Sequence, residues 1–250
     1  MKKILSTFTC LLALSMPINA DIARVEMGIG AWTQKPSGSA SYNAVANATG
    51  KDTLNEDKDT SPYVWLLVKH PIPIIPNIRL EYTTVSETGK ATGQWGKTTI
   101  TTSSNSSLDM TQYDIIPYYN ILDNTFWMTL DLGIDLKIVD IDYNINQTTN
   151  FIAYKYKKTF PIPLLYVRTR VEIPFSNIGL EADLKYVSNS SSTVYDARAK
   201  VDYTLDIFPI IQPAVEVGYR VQKIKIDETS YDVKTDIDFA GFYTGLMLRF

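Results

Sequence analysis

Thiol and imidazole are nearly missing from this chain: 250 residues hold one cysteine and one histidine. One cysteine excludes a disulfide framework and a thiolate zinc site. One histidine excludes a multi-histidine metal centre and leaves His70 as the only imidazole for acid–base chemistry. An excess of one charge is missing as well. With 24 Lys+Arg against 27 Asp+Glu, the formal net charge is −3, and no nucleic-acid partner is expected, because phosphate binding needs clustered basic residues. Long apolar runs are the third absence. Past the first twenty residues, stretches such as Phe239 to Leu248 reach about ten residues, against the roughly 20 that a membrane-crossing helix needs. A chain like this crosses a membrane only with strands.

What is present begins with an export signal. Lys2 and Lys3 precede an apolar run from Ile4 to Met16, and Pro17-Ile18-Asn19-Ala20 forms a cleavage-type segment before Asp21. Residues 1–20 therefore read as a signal peptide and 21–250 as the working domain. Cys10 lies inside the apolar run and not at its end, which argues against a lipoprotein anchor.

The dominant sequence period is two, the mark of strands with one apolar and one polar face. Phe126, Met128, Leu130, Leu132, Ile134, Leu136 and Ile138 alternate with Thr129, Asp131, Gly133, Asp135 and Lys137. Past Ile138 the phase reverses, with Val139, Ile141, Tyr143 and Ile145 apolar, which predicts a β-bulge there. A second bulge is expected near Phe239–Ala240. Ten strands follow, at 22–34, 62–70, 78–86, 109–119, 126–142, 160–173, 178–188, 194–207, 213–226 and 235–250. Short connections alternate with long ones (35–61, 87–108, 143–159, 189–193, 227–234), the long ones mostly rich in Gly, Ser, Thr and Asn. The segments from Pro73, Pro174 and Pro209 to Glu81, Glu181 and Glu216 echo one another as turns leading into an inward Glu.

A soluble sandwich also alternates. Here the apolar faces carry essentially no charge across the strand centres, as lipid requires, because one Arg or Lys there costs ~2–4 kcal/mol. The chain ends with Phe242, Leu246, Leu248 and Phe250 on one face, which resembles the last-strand signal of bacterial outer-membrane proteins. That resemblance implies that Phe250 is read by the barrel-assembly machinery. The expected fold is an all-β, transmembrane, antiparallel up-and-down β-barrel of about ten strands in the bacterial outer membrane, with both termini periplasmic. At a finer level the segments His70 to Tyr82, Ile121 to Asn124, Leu130 to Gly133 and Val217 to Arg220 are similar to a family of proteobacterial outer-membrane β-barrel proteins. This implies location and architecture and no activity.

Alternation places nine bases inside the barrel: Arg24, Arg79, Lys137, Arg168, Arg170, Lys185, Arg198, Lys200 and Arg220. It places nine acids beside them: Glu26, Glu81, Asp131, Asp135, Glu172, Glu181, Asp183, Asp202 and Glu216. A barrel this narrow is filled by side chains, and unpaired buried charge is costly, so a salt-bridged plug is expected over an ion path. Hydrolytic barrels set a His at the extracellular mouth. His70 falls beside a short turn at the opposite end, where it reads as a turn cap. Asp140 to Asn146 mimics a calcium loop but lacks its Gly and Glu; Asp236 and Asp238 are candidates for the same rim, and no metal or cofactor is expected. Tyr63, Trp65, Tyr82, Tyr118, Tyr119, Trp127, Tyr186 and Tyr203 read as interfacial belts. Trp32 and Trp95 read as the better ligand contacts, near or in the loops. The function expected is a non-enzymatic monomer with a structural or surface-interaction role. Its partners are outer-membrane lipid and lipopolysaccharide, with the assembly machinery during insertion. A narrow channel is the alternative, and a barrel hydrolase follows it.

Overall fold

In the computed structural model, residues 23–42, 50–54, 58–125, 127–148, 151–208, 210–227 and 233–250 are described. The expected signal peptide at 1–20 lies outside them, as do Phe126 and Pro209. Alternating residues form eleven strands: β1 Arg24–Tyr42, β2 Lys51–Leu54, β3 Asp59–Lys69, β4 Asn77–Trp95, β5 Thr98–Thr125, β6 Met128–Thr148, β7 Phe151–Glu172, β8 Ile178–Ser188, β9 Thr193–Thr204, β10 Gln212–Ile226 and β11 Val233–Arg249. From β3 to β11 each strand pairs antiparallel with the next. β1 joins β11 to β3 and closes the ring. The short β2 bridges β1 and β4 and continues the lane of β3 past Asp59, so the eleven strands occupy ten lanes. The expected ring of ten is therefore present, with one lane broken in two.

Strand length is where the structure departs from expectation. β5, β6 and β7 run 28, 21 and 22 residues, about twice what a bilayer crossing uses. Most of 87–108 and 143–159, and much of 35–61, are ladder and not loop. Many of their Ser, Thr and Asn residues sit on the outer wall, while Ser104 and Ser106 share the buried face with Leu108 and Met110.

The predicted bulges are absent too. Pairing of β5 with β6 is continuous from Asp109↔Asp142 to Ile115↔Leu136, and β6 stays in register with β7 throughout this region. The β1–β11 and β10–β11 ladders pass Phe239 and Ala240 without a shift. What changes after Ile138 is the chemistry of the two faces. Below it, Leu132, Ile134 and Leu136 point outward and Asp131, Asp135 and Lys137 are buried inside. Above it, Val139, Ile141, Tyr143 and Ile145 are buried inside and Asp140, Asp142 and Asn144 point outward. β5, β10 and β11 exchange faces at the same level: Met110, Ile224, Ile237 and Phe239 are inside, opposite an outer wall with Asp109, Lys223, Asp236 and Asp238.

The cause is a change of solvent along one strand. Lipid demands an apolar outer wall, and water permits a polar one. On β6 the apolar wall runs from Met128 to Ile138, which at ~3.4 Å per residue and ~40° tilt is about 26 Å, close to the height of a bilayer's apolar band. Beyond that level the barrel continues with a core of the soluble kind. Its turn end carries the described chain ends, Ala23 and Phe250, and the short connections. At the other end, here the far end, the strands stand clear of the belt.

Candidate functional site in the barrel lumen

The lumen below the exchange level is filled by ion pairs. Near the termini, Arg24 contacts Glu26 at 2.5 Å and Glu172 at 3.4 Å. Arg170 grips Asp202 through both terminal nitrogens at 2.8 and 3.0 Å, a geometry suited to guanidinium and carboxylate. Arg249 meets the same Asp202 and, at 3.2 Å, Glu26. In the middle, Glu181 gathers Arg168 (2.7 Å), Arg79 (3.3 Å), Lys200 (3.4 Å) and Arg170 (3.4 Å), and Arg168 also reaches Asp131 at 2.6 Å. Higher still, Glu81 receives Arg79 at 2.6 Å and both Lys185 and Arg198 at 2.5 Å, and Arg198 also contacts Asp183 at 2.9 Å. Lys137 pairs with Asp114 at 2.6 Å, and Arg220 with Asp196 at 2.6 Å.

All eighteen residues expected inside occupy inward positions. Two of them lie at the turn-end rim: Glu172 is half exposed and Arg24 about a quarter exposed. Three further charged residues join the network beyond the expected eighteen, namely Asp114, Asp196 and Arg249. Each stands one residue from an outward apolar neighbour (Ile115, Ala197, Leu248), so strict alternation identifies them.

Aromatic rings thread this network. Trp65 lies between Arg79 and Lys200, whose charged groups are 4.9 and 4.7 Å from its ring centre. Its indole donates to Glu216 Oε1 at 3.2 Å, and Tyr63 donates to the same oxygen at 2.7 Å. Glycine makes room for both rings: a Cβ on Gly28 would sit 2.4 Å from the Trp65 indole, and one on Gly30 would sit 2.4 Å from the Tyr63 hydroxyl. Tyr63, Trp65 and Tyr118 thus belong to the lumen and not to an interfacial belt. Tyr82, Tyr119, Trp127, Tyr186 and Tyr203 are outward and exposed.

Two further layers close the bore. Gln112 and Gln222 reach across the lumen and exchange amide hydrogen bonds at 3.0 and 2.6 Å, and Lys137 donates to Gln112 Oε1 at 3.2 Å. Above them the interior is mainly apolar and aromatic, with Gln34, Asp52 and Glu87 as buried polar members and Tyr143 donating to Asp52 at 2.7 Å. Trp32 packs on the Arg220 guanidinium at 4.5 Å and edge-on to Phe239 at 6.2 Å. Trp95, Tyr42, Tyr143 and Tyr154 form an aromatic cluster near the far end, with ring centres 5.3–6.4 Å apart. Trp32 and Trp95 are fully buried at 0% exposure, which corrects their reading as loop-borne ligand contacts. The signal that finds them is their parity with inward Gln34 and Ala91. Lys137, Lys185, Asp135 and Asp196 in the waist are likewise at 0%, so no water-wide bore passes them.

One acid above the belt stands apart. Glu87 is buried, with Ser86 and Thr88 outward beside it, and Gln34 donates to it at 3.4 Å. Burial, reinforced by the negative charge of Asp59, pushes its carboxyl up to about 7.

The remaining candidates separate from the lumen. His70 closes the 70–76 turn: its Nδ1 accepts from the Ile72 amide at 3.2 Å, its Nε2 donates to Pro76 O at 3.1 Å, and its own amide donates to Asn77 Oδ1 at 2.9 Å. Asp140 and Asp142 face outward, held by Thr159 (3.0 Å) and Lys155 (3.5 Å). Asp236 and Asp238 pair with Lys223 at 2.7 and 2.8 Å on a different part of the wall. Among the described residues these acids form no metal-type group. Phe250 lies outward, and its backbone exchanges hydrogen bonds with Val25 at 2.9 and 3.3 Å.

No protein-family model matches the chain, and no curated protein does. Among solved structures it is similar to the outer membrane protease OmpT from Escherichia coli, with a TM-score of 0.54 and 10% identity over 94% of this chain and 98% of that one. It is also similar to the translocator domain of autotransporter NalP from Neisseria meningitidis (TM-score 0.42, 11% identity, 100% and 96% covered). A third likeness is the transport unit of autotransporter AIDA-I from Escherichia coli (TM-score 0.42, 8% identity, 98% and 96% covered). The first likeness, with the closed ten-lane ring and its apolar belt, gives the fold: an outer-membrane β-barrel.

Proposed function

We propose that this chain is an outer-membrane barrel with a sealed lumen, non-enzymatic, serving as a rigid structural or surface-interaction element. The turn end faces the periplasm and the far end projects outside the cell. The single observation that carries this reading is the stacking of three different fillings across the bore: ion pairs, a glutamine layer and an aromatic plug. A solute path would need a continuous polar, hydrated surface, and the apolar plug interrupts it. His70 is occupied on both ring nitrogens by its own turn, which leaves no imidazole free to serve as a general base. Lys90, Lys155 and Lys157 leave the outer wall above the belt, where lipopolysaccharide phosphates lie, and support contact with that lipid.

Purified barrel in planar bilayers tests the reading. The expected result is a membrane without steady unitary conductance. Steady unitary openings at neutral pH would replace the sealed element with the narrow channel.

A further inference from the structure

We infer that the connections at the turn end form an apolar collar seated in the phospholipid interface, so that the membrane begins at the turn tips. The inference rests on the lipid-facing belt and stands whether or not the lumen conducts.

The sequence echo at the turns points to it. Pro73, Pro174 and Pro209 are each followed directly by large apolar residues: Ile74-Ile75, Phe175 and Ile210-Ile211. The fold leaves these side chains uncovered. Phe175 is wholly exposed, Ile74 is 85% exposed, and Ile75, Ile210 and Ile211 are exposed as well. The turn between β5 and β6 adds Ile121 and Trp127, both exposed. Two of the tips also have a strained backbone. Phe175 and Trp127 have φ of 61° and 62°, a left-handed conformation that bulky residues rarely adopt. At Phe175 the turn is held in that form by Ser176, which donates to Ile173 O from its amide at 3.2 Å and from its hydroxyl at 2.8 Å. The uncovered ring is thus a built feature.

Three observations make lipid the occupant. Neighbouring turns pair their polar side chains with one another: Lys69 contacts Asp123 at 2.6 Å, and Asn177 donates to Asp206 at 3.0 Å. What they present outward is apolar. The turns also lean toward the outer wall. Tyr119, on the lipid side of β5, donates to Ile74 O at 3.0 Å, and Ile121 and Ile173 keep the outward parity of Tyr119 and Val171. Lastly, the collar follows the whole ring, with turns joining β3 to β4, β5 to β6, β7 to β8 and β9 to β10. A soluble partner covers one sector of such a ring, and a bilayer covers all of it. The height agrees, because a belt of about 26 Å on β6 leaves the tips within the ~40–45 Å that includes the headgroup layers.

Tryptophan fluorescence with brominated lipids tests the collar. Trp127→Phe gives a background whose remaining tryptophans, Trp32, Trp65 and Trp95, are buried in the lumen. Phe175→Trp and Ile74→Trp each add one reporter to it. The full barrel is refolded in phosphatidylcholine vesicles with acyl chains brominated either beside the headgroup or near the terminal methyl. Emission added at each turn is expected to be blue-shifted, lost to bromine beside the headgroup, less affected by bromine at the methyl end, and insensitive to acrylamide. The unsubstituted protein compared with Trp127→Phe gives the same reading at a third turn with no new side chain. Emission from any of the three turns that acrylamide quenches and headgroup-side bromine does not would overturn the collar and leave a soluble protein as the occupant. Conductance is not the readout, so a leaky barrel with lipid-quenched turns keeps the collar and loses only the sealed-lumen reading.

Discussion

An arginine walked along the outer wall of β6 tests the exchange of faces. Ile134 stands mid-belt and is more than half exposed on the wall, Ile138 marks the last apolar outward position, and Asp142 points outward above it. Ile134→Arg places a guanidinium near mid-bilayer, where the cost is ~2–4 kcal/mol; at Ile138, near the boundary, it falls to ~0–1 kcal/mol. Asp142→Arg replaces one exposed charge with another. It forfeits the 3.5 Å contact with Lys155 and the 2.8 Å hydrogen bond from Asn144, partly exposed interactions each worth within about 1 kcal/mol. On the inner wall the order reverses: Val139→Asp buries an unpaired carboxylate in the apolar plug and costs several kcal/mol. Urea unfolding from phospholipid vesicles, followed through the four tryptophans, measures all four variants. A flat profile from 134 to 142, or a penalty at 142 equal to that at 134, would refute the placement of the boundary.

Three other perturbations follow from the same geometry. Glu181→Gln leaves Arg168, Arg79, Lys200 and Arg170 without the carboxylate they share, and is expected to destabilise by ~3–5 kcal/mol in the same unfolding assay; a change under ~1 kcal/mol would show that the cluster is not cooperative. Glu87, raised to about 7 in the folded barrel, keeps a proton that the unfolded chain gives up near its ordinary value. Its contribution to stability is therefore full at pH 4, falls as the pH climbs through 7, and stays low beyond. Glu87→Gln should match the parent at pH 4 and exceed it by roughly 1–2 kcal/mol at pH 8, a figure reduced for solvent screening; a gain equal at both pH values rules out the titration. Phe250→Ala removes an outward side chain and keeps the backbone bonds to Val25, so refolding into vesicles should be unchanged while the folded fraction in cells falls. Equal folded fractions by heat-modifiable gel mobility would remove Phe250 as an assembly signal.

Much of this architecture can be read from residue alternation, because the pleat makes side-chain direction a matter of parity. β8 shows it plainly: Leu180, Ala182 and Leu184 lie outward with Glu181, Asp183 and Lys185 inside. Alternation also carries the inward set of charges, and on β5 the burial alternates strictly through Asp114; what obscures it in the sequence is that the inward set mixes Gln112 and Asp114 with apolar Ile116 and Tyr118. What alternation alone does not supply is the solvent outside. The reversed phase at Val139 is consistent with a bulge or with a boundary, since both exchange the apolar and polar sets; only continuous pairing through Asp109↔Asp142 separates them. The same ambiguity hid strand lengths. Ser104 and Ser106 look like loop residues until Leu108 and Met110 are seen to share their buried face. His70 is the opposite case: its position just before Pro71 shows its role as a turn cap without any coordinates.

The filling of the lumen needs its own reason, because buried ion pairs contribute little net stability and apolar replacements are often neutral or better. Register supplies one. A one-residue slip turns every side chain of a strand to the other wall. With charges inside, a slip of β7 would carry Arg168 and Arg170 into lipid, at ~2–4 kcal/mol each near mid-bilayer. With an apolar interior, both walls would be equivalent and the slip would cost far less. Above the belt, water outside removes that penalty, and the contrast between walls is kept by reversal: Ile141 and Tyr143 inside, Asp140 and Asp142 outside. At every height each strand therefore has one wall that tolerates its side chains and one that rejects them. The unbroken ladders across the exchange level are the consequence, since both halves of a strand enforce the same alignment.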